Sequence, residues 1–366
     1  MKNKTMSDVY FANMKVKRLE REATLPAKFQ RMLDRLNLAR TVKGRRVCIK
    51  MHLGGGLGYT TIHPLFVRLL VDKVKEAGAK SVFVADCRIS GCAMRGYTPE
   101  TLGCAIVDLF RKNGPGTREV PMGFRSFKSA LIAREILEAE ALIVFSHVKG
   151  HGASGFGGAG KNIAMGCVAA KTRGEIHRLE GGIEWHRAKC IHCKKCIKAC
   201  PHGANRFTRG GNYEVFFHDC TFCQHCILAC PAGALTLTGD RFHDFQHGLA
   251  LVAKRVIEEV GTERILYLNQ LMNITMVCDC WGFSTAPLMP DIGMLASRDI
   301  VAIDRAALDL VNKARLFNPE GLVAGRKLRP GKHIFEKIHG KNPYTMSDIM
   351  AGMSLGRRQY RLKEVE

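Results

Sequence analysis

The chain has 366 residues, 46% of them hydrophobic, with fifteen cysteines and a formal net charge of +23. That length fits two or three domains of ~100–200 residues each, and the apolar content excludes a chain that stays disordered. No run approaches the ~18 consecutive apolar residues of a membrane span. The charged start Met1-Lys2-Asn3-Lys4 leads into no apolar stretch, so a soluble, cytoplasmic protein without a secretory leader is expected.

The positive excess is spread out: fourteen Lys or Arg against four Asp or Glu in the first fifty residues, ten against four in 325–366 and seven against four in 181–240. Nucleic acid is the first partner such a balance suggests, but no recognition motif or interleaved aromatic pattern accompanies it. An acidic redox partner or an anionic small-molecule substrate, steered in by the field, is the better expectation. A generally basic proteome is the bland alternative.

In chain order, residues 24–39 carry Phe29, Met32, Leu33 and Leu36 at helical spacing, with Lys28, Arg31 and Arg35 on the other side. This predicts an amphipathic helix packed on a core. From residue 46 strands and helices alternate. Val47–Met51 reads as a strand, followed by the glycine loop 54–58, a cap at Thr60 or Thr61, and a helix over Leu65–Ala77 closed by Gly78. Ser81–Ala85 is the next strand, ending in Asp86-Cys87. A helix near Leu131–Ala139 is expected to lead into the apolar strand Ala141–Phe145. After residue 240 come a helix over Leu249–Val260 stopped by Gly261, a strand over Arg264–Leu268, an expected strand at Met276-Val277-Cys278, and a helix over Ala302–Lys313. This rhythm predicts an α/β fold, with a mostly parallel sheet and helices on both faces.

Between the two halves lies a repeated cysteine run. Cys190, Cys193, Cys196 and Cys200-Pro201 are echoed by Cys220, Cys223, Cys226 and Cys230-Pro231. Each half has the C-x₂-C-x₂-C-x₃-C-P spacing that ligates [4Fe–4S] clusters in bacterial ferredoxins. Three closely spaced thiolates converge on one cube, and the fourth lies too far round and ligates the other. Cys190, Cys193, Cys196 and Cys230 are therefore assigned to one [4Fe–4S] cluster, and Cys220, Cys223, Cys226 and Cys200 to a second. Zinc also uses C-x₂-C pairs, but a tetrahedral site needs two pairs, not three consecutive cysteines followed by Cys-Pro. Fifteen cysteines in a leaderless chain suit a reducing, oxygen-poor cell rather than a disulfide framework. The division expected is 1–182 for the first part of the α/β body, 183–240 for an inserted small α+β ferredoxin-like 2[4Fe–4S] domain, and 241–366 for the second part with a basic tail. The two clusters would bring the charge to roughly +19.

Chemistry in open α/β sheets collects at the carboxyl ends of strands, and several unusual groups fall there. Ser146-His147-Val148-Lys149-Gly150-His151 runs into a glycine-rich stretch ending Gly160-Lys161-Asn162. Gly155 to Lys161 fits the core of a phosphate loop, but Asn162 stands where Ser or Thr should hold magnesium. An anion site at a helix start, using Gly157, Gly158, Lys161 and Asn162, is the better expectation. Cys278 and Cys280, two apart in extended chain, point the same way and can reach one metal, cluster or disulfide. Cys87, Cys92 and Cys167 are unassigned. Cys48 and Cys104 read as ordinary buried residues, and His192 and His225 as solvated.

The block from Ser146 to His151, followed by Gly155 to Cys167, resembles the signature of the domain-of-unknown-function-362 family. Cys278-Asp279-Cys280, Ala286 to Gly293, Val301 to Arg305 and Gly356 to Tyr360 are similar to further blocks of it. The likeness runs from about Asp8 to the end, with the ferredoxin-type piece where the family commonly carries it. The family often has Leu where this chain has Gly160, so the phosphate-loop pattern is accidental on this likeness. No general reaction comes with it.

Two functions are expected from these readings. In the first, electrons pass singly through the clusters to a site framed by His147, Lys149, His151, Lys161, Cys278 and Cys280. That site, with a third metal centre or cluster near Cys278 and Cys280 as an option, reduces an anionic or metal-bound substrate. In the second, the α/β body only docks a low-potential partner enzyme and the chain relays electrons to it.

Overall fold

The computed structural model describes residues 6–216, 220, 223–239, 241–314, 316–325 and 327–366; the charged start Met1–Lys4 lies outside them. Eight strands form one sheet. In chain order they are β1 (Ser7–Asn13), β2 (Arg46–Lys50), β3 (Ser81–Asp86), β4 (Ala105–Asp108), β5 (Ala141–His147), β6 (Ile265–Leu271), β7 (Gly293–Ser297) and β8 (Tyr360–Glu364). Their spatial order is β8-β1-β7-β6-β5-β2-β3-β4. Every neighbouring pair is parallel except those made by β7, which runs antiparallel to both β1 and β6.

The central strands are buried on both faces, which is why they read as continuous apolar runs rather than alternations. All seven residues of β6 and six of the seven in β5 are buried. One face packs on helices α1 (Leu25–Arg35) and α2 (Pro64–Glu76) through Val47, Ile49, Ile143 and Phe145. The other packs on α3 (Ala159–Gly166), α4 (Phe242–Val260) and α5 (Ile300–Lys313) through Leu142, Val144 and Tyr267. Asp299 starts α5 by accepting the amides of Val301 and Ala302 at 2.9 Å each.

Several local expectations are corrected. The helix read over 24–39 breaks at Asn37, whose left-handed backbone (φ 49°) separates α1 from a short turn at Leu38–Val42. Lys28 is buried, not solvated, with its ammonium on the Asn13 side chain at 2.9 Å. The cap of α2 is His63, whose Nδ1 accepts the Leu65 amide at 3.2 Å, rather than Thr60 or Thr61. Residues 131–133 finish a strand, Phe127–Ala133, paired antiparallel with Thr117–Phe124, and only Arg134–Leu137 is helical. Met276-Val277-Cys278 makes no strand.

Between α3 and α4, the described residues of 182–238 include two small antiparallel ladders, a 3-10 turn at Arg187–Lys189 and two one-turn α-helices. Gly182–Trp185 pairs with Leu235–Thr238, and Asn205–Phe207 with Tyr213–Val215. The helices Lys195–Lys198 and His225–Leu228 each follow a left-handed residue, Lys194 (φ 59°) and Gln224 (φ 64°). Among the described residues the two cysteine runs thus share a left-handed residue followed by a one-turn helix.

Candidate functional site: a cleft at the sheet's switch point

The strands following β2 step outward in one direction, through β3 to β4, while β5 and β6 lie on its other side. The crevice beyond the carboxyl ends of β2 and β5 is therefore the switch point, where open α/β sheets bind ligands. A cleft of ≈ 190 Å³ occupies that position, lined by Lys50 and His52 after β2, Asp86 to Arg88 after β3, and Ser146 and His147 at the end of β5. His151, Gly157, Gly158, Lys161, Asn162, His177, Cys278, Asp279 and Cys280 also belong to the body's share of its wall, with Met165, Gly166 and Arg173 beside them. The rest comes from Pro201, His202, Cys223 and His225 of the cysteine-rich segment.

Two Lys–Asp–His groups are built into this wall, with Lys149 alone set behind it. In one, the Lys149 ammonium donates to Asp279 Oδ1 and Thr60 Oγ1 at 2.6 Å each, and His147 Nδ1 lies 2.9 Å from Asp279 Oδ2. In the other, Lys50 donates to Asp86 Oδ1 and Asn162 Oδ1 at 3.0 Å each, and His52 Nδ1 lies 2.9 Å from Asp86 Oδ2. Lys50 and Lys149 are each at most 1% exposed, so each ammonium needs its carboxylate. Although burial opposes ionisation, the adjacent cations hold Asp86 and Asp279 well below the usual carboxylate range. His147 Nε2 lies 2.7 Å from the Met272 carbonyl, while burial and then Lys149 pull its pKa below the ordinary value. Lys149 and His147 are thus both committed to Asp279, and Lys149 does not line the cleft.

Lys161 is different. Its ammonium lies 3.7 Å from Cys278 Sγ, and burial pulls its pKa down to about 8. Two ring nitrogens of the lining, His52 Nε2 and His177 Nδ1, are buried without a hydrogen-bond partner among the described residues.

The helix-start anion site takes a form the sequence did not reveal. The first amides of α3, on Ala159 and Gly160, are taken by the Asp304 carboxylate at 2.8 and 2.9 Å, and Asn269 also donates to it at 2.9 Å. A Cβ on Gly158 would sit 2.5 Å from Asp304 Oδ1, so glycine there makes room for the chain's own carboxylate. Gly157, Lys161 and Asn162 face the cleft without a phosphate loop. The glycine loop 54–58 likewise serves packing, since a Cβ on Gly56 would meet the Gly282 carbonyl at 2.5 Å. It holds the Asp279–Trp281 turn in place, with the Leu57 amide on Gly282 O at 2.7 Å.

Cys278 and Cys280 are joined in a disulfide, with Cα atoms 5.4 Å apart. Together with His151 they are, among the described residues, the one group whose three ligand atoms lie within 4.8 Å of one another. His151 Nδ1 accepts the amides of Ala153 and Ser154 at 3.1 and 2.9 Å. The proton of the neutral ring therefore sits on Nε2, 3.7 Å from Cys280 Sγ. A metal on this set would need the disulfide open and the two amides released.

The eight repeat cysteines line two further cavities. Cys190, Cys193, Cys196 and Cys230 share one with Trp185 and Tyr213. Cys200, Cys220, Cys223 and Cys226 share the other with Ile183 and Asn205. The fourth cysteine of each run has thus crossed to its neighbour's cavity. Matching backbone donors reach both crossed sulfurs, Ala204 N to Cys200 at 3.2 Å and Ala234 N to Cys230 at 3.3 Å. Among the described residues no three of these cysteines come within 4.8 Å of one another. Cys223 lines both its own cavity and the cleft. Cys193 is exposed, and Ile191 beside it is 66% exposed, so the first cavity reaches the surface.

Of the remaining cysteines, Cys87 lines the cleft, while Cys92 donates to the Tyr97 carbonyl away from it. Burial pushes the Cys167 thiol up to about 12. Cys48 is buried as expected, Cys104 only half so. His192 is exposed, but His225 is buried and stacks on Trp281 with ring centroids 3.6 Å apart, contrary to its expected solvation. Sequence reasoning passed over Lys50, His52, Asp86 as an ion-pair partner, and His177. A lysine closing the apolar run Val47-Cys48-Ile49 was the one signal available.

The described residues include no helix long and apolar enough to cross a membrane. No curated protein matches the chain. Among solved structures, a structural-genomics protein from Thermotoga maritima is 14% identical, covering 69% of this chain and 52% of that one at a TM-score of 0.37. The lactate racemase apoprotein from Thermoanaerobacterium thermosaccharolyticum is 11% identical, covering 85% and 58% at a TM-score of 0.42. The chain thus spans little more than half the length of either. A family model described as "Domain of unknown function (DUF362)" matches residues 47–309, well over half of the sequence, and the chain belongs to that family.

Proposed function

We propose that this protein is an iron–sulfur redox protein that carries single electrons through two [4Fe–4S] clusters to the switch-point cleft, where it reduces an anionic substrate. The observation that carries the reading is the pair of cysteine-lined cavities with exchanged fourth members, one reaching the surface at Cys193 and the other sharing Cys223 with the cleft. Cys190, Cys193, Cys196 and Cys230 would hold one cluster, and Cys200, Cys220, Cys223 and Cys226 the second. When bound, such centres supply electrons one at a time.

The other roles fall to the chain's own side chains. Lys161 offers the cleft a half-buried cation whose pKa of about 8 suits both charge neutralisation and proton donation near neutral pH. His52 and His177 offer ring nitrogens to the same ligand. Lys149 and His147, bound to Asp279, fix the turn that carries Cys278 and Cys280 instead of touching substrate. The basic surface favours an acidic electron-donor protein.

Anaerobically reconstituted protein, titrated with dithionite, should lose its visible absorbance in two one-electron cluster reductions per chain. The Cys278→Ser/Cys280→Ser variant should bleach identically but lose turnover with the cleft's substrate. Full turnover in that variant would refute the cleft as the site of reduction.

A further inference from the structure

Lys161 faces a neutral disulfide. The cleft's two carboxylates make their short contacts to Lys50, His52, Lys149 and His147 instead. A half-buried ammonium opposite an uncharged sulfur gains little from it, whereas a thiolate there would be its counter-charge. The second sulfur is matched in the same way. With Nδ1 occupied by the Ala153 and Ser154 amides, His151 can only aim its Nε2–H at Cys280 Sγ. Each sulfur of the pair therefore has its own donor at 3.7 Å, arranged for the reduced state.

We infer that Cys278–Cys280 is a redox-active disulfide in the cleft wall, whose reduced form is stabilised by Lys161 at Cys278 and by His151 at Cys280. A low-potential one-electron donor supplies two electrons in succession. The S–S bond breaks, and one proton from solvent is taken up. The products are a Cys278 thiolate paired with the Lys161 ammonium and a Cys280 thiol facing His151. The pair so stores two electrons in a site fed singly, and reoxidation by a two-electron acceptor restores the disulfide. The inference rests on the cleft being the proposed site of reduction, but the couple needs no iron to be observed.

The test poises the whole protein anaerobically in dithiothreitol buffers of graded oxidation. Free thiols are trapped with iodoacetamide, and the peptide carrying Cys278 and Cys280 is weighed. A two-electron transition is expected. Lys161→Met should move its equilibrium at least tenfold toward the disulfide, about 30 mV more negative, and Lys161→Arg should restore most of that shift. Cysteines that stay fully alkylated in the most oxidising buffers would overturn the inference, as would a Lys161→Met variant that titrates with the wild type. Iron measured in the same samples separates the two readings: an intact couple in iron-free protein refutes the proposed function alone, and an absent couple in iron-loaded protein refutes only the inference.

Discussion

Asp279→Asn is the substitution that most sharply tests the ion-pair architecture behind the cleft. Asp279 is 3% exposed and receives the Lys149 ammonium at 2.6 Å and His147 at 2.9 Å. The amide keeps the shape and removes the charge, leaving Lys149, itself 1% exposed, without a counter-ion. Breaking a buried pair by removing one partner costs about 3–5 kcal/mol, whereas replacing both with neutral groups is often close to neutral. Asp279→Asn should therefore lose about 3–5 kcal/mol in urea unfolding followed by far-ultraviolet circular dichroism. Lys149→Met/Asp279→Asn should recover at least about half of that, a coupling well above the ~0.5 kcal/mol seen for independent sites. A single-variant loss under about 1 kcal/mol, as for an exposed pair, or strictly additive losses, would show that the pair is not buried as described.

Three other outcomes follow from the geometry. Because the fourth cysteines cross over, Cys230→Ala should abolish the centre of the Cys190 loop and spare that of the Cys220 loop, leaving about four irons per chain; loss of the Cys220-loop signal instead would contradict the pairing. Gly158→Ala drives a Cβ against Asp304 and the Phe156 ring and should cost about 1–3 kcal/mol, while Gly352→Ala, open to space at a helix end, should cost nothing; equal effects would refute the close approach. His151 and His177 have pKa values well below 6.5, chiefly from burial and next from Lys161. Below pH 6.5 the unfolded chain thus binds protons that the native one does not, so stability is full above that pH and falls by about 1.4 kcal/mol per unit per histidine below it. Urea midpoints that hold steady or rise from pH 7.5 to 5.5 would contradict this.

What the sequence disclosed divides by range. The strands at 47–51, 81–85, 141–145 and 264–268 were legible because strands buried on both faces read as unbroken apolar runs. The cysteine repeat was legible because its ligands sit within one loop. Gly293–Ser297 escaped notice as a strand, being short and begun by glycine, whereas Met276-Val277-Cys278 is equally apolar and buried but finds no ladder. The site's electrostatics were hidden by distance along the chain. Lys149 meets Asp279 across 130 residues and Ala159 meets Asp304 across 145, and no local spacing marks either pair. The glycines of 150–160 suggested a ligand's phosphate where the fold supplies Asp304. His225 read as solvated because nothing near it in sequence announces Trp281.

The central claim is that eight cysteines, grouped three-plus-one in each of two cavities, hold a pair of iron–sulfur cubes. Iron, zinc and acid-labile sulfide determined on protein purified without air test it most directly. The account predicts about eight irons and eight sulfides per chain with zinc near zero; colourless protein, or zinc in place of iron, would contradict it.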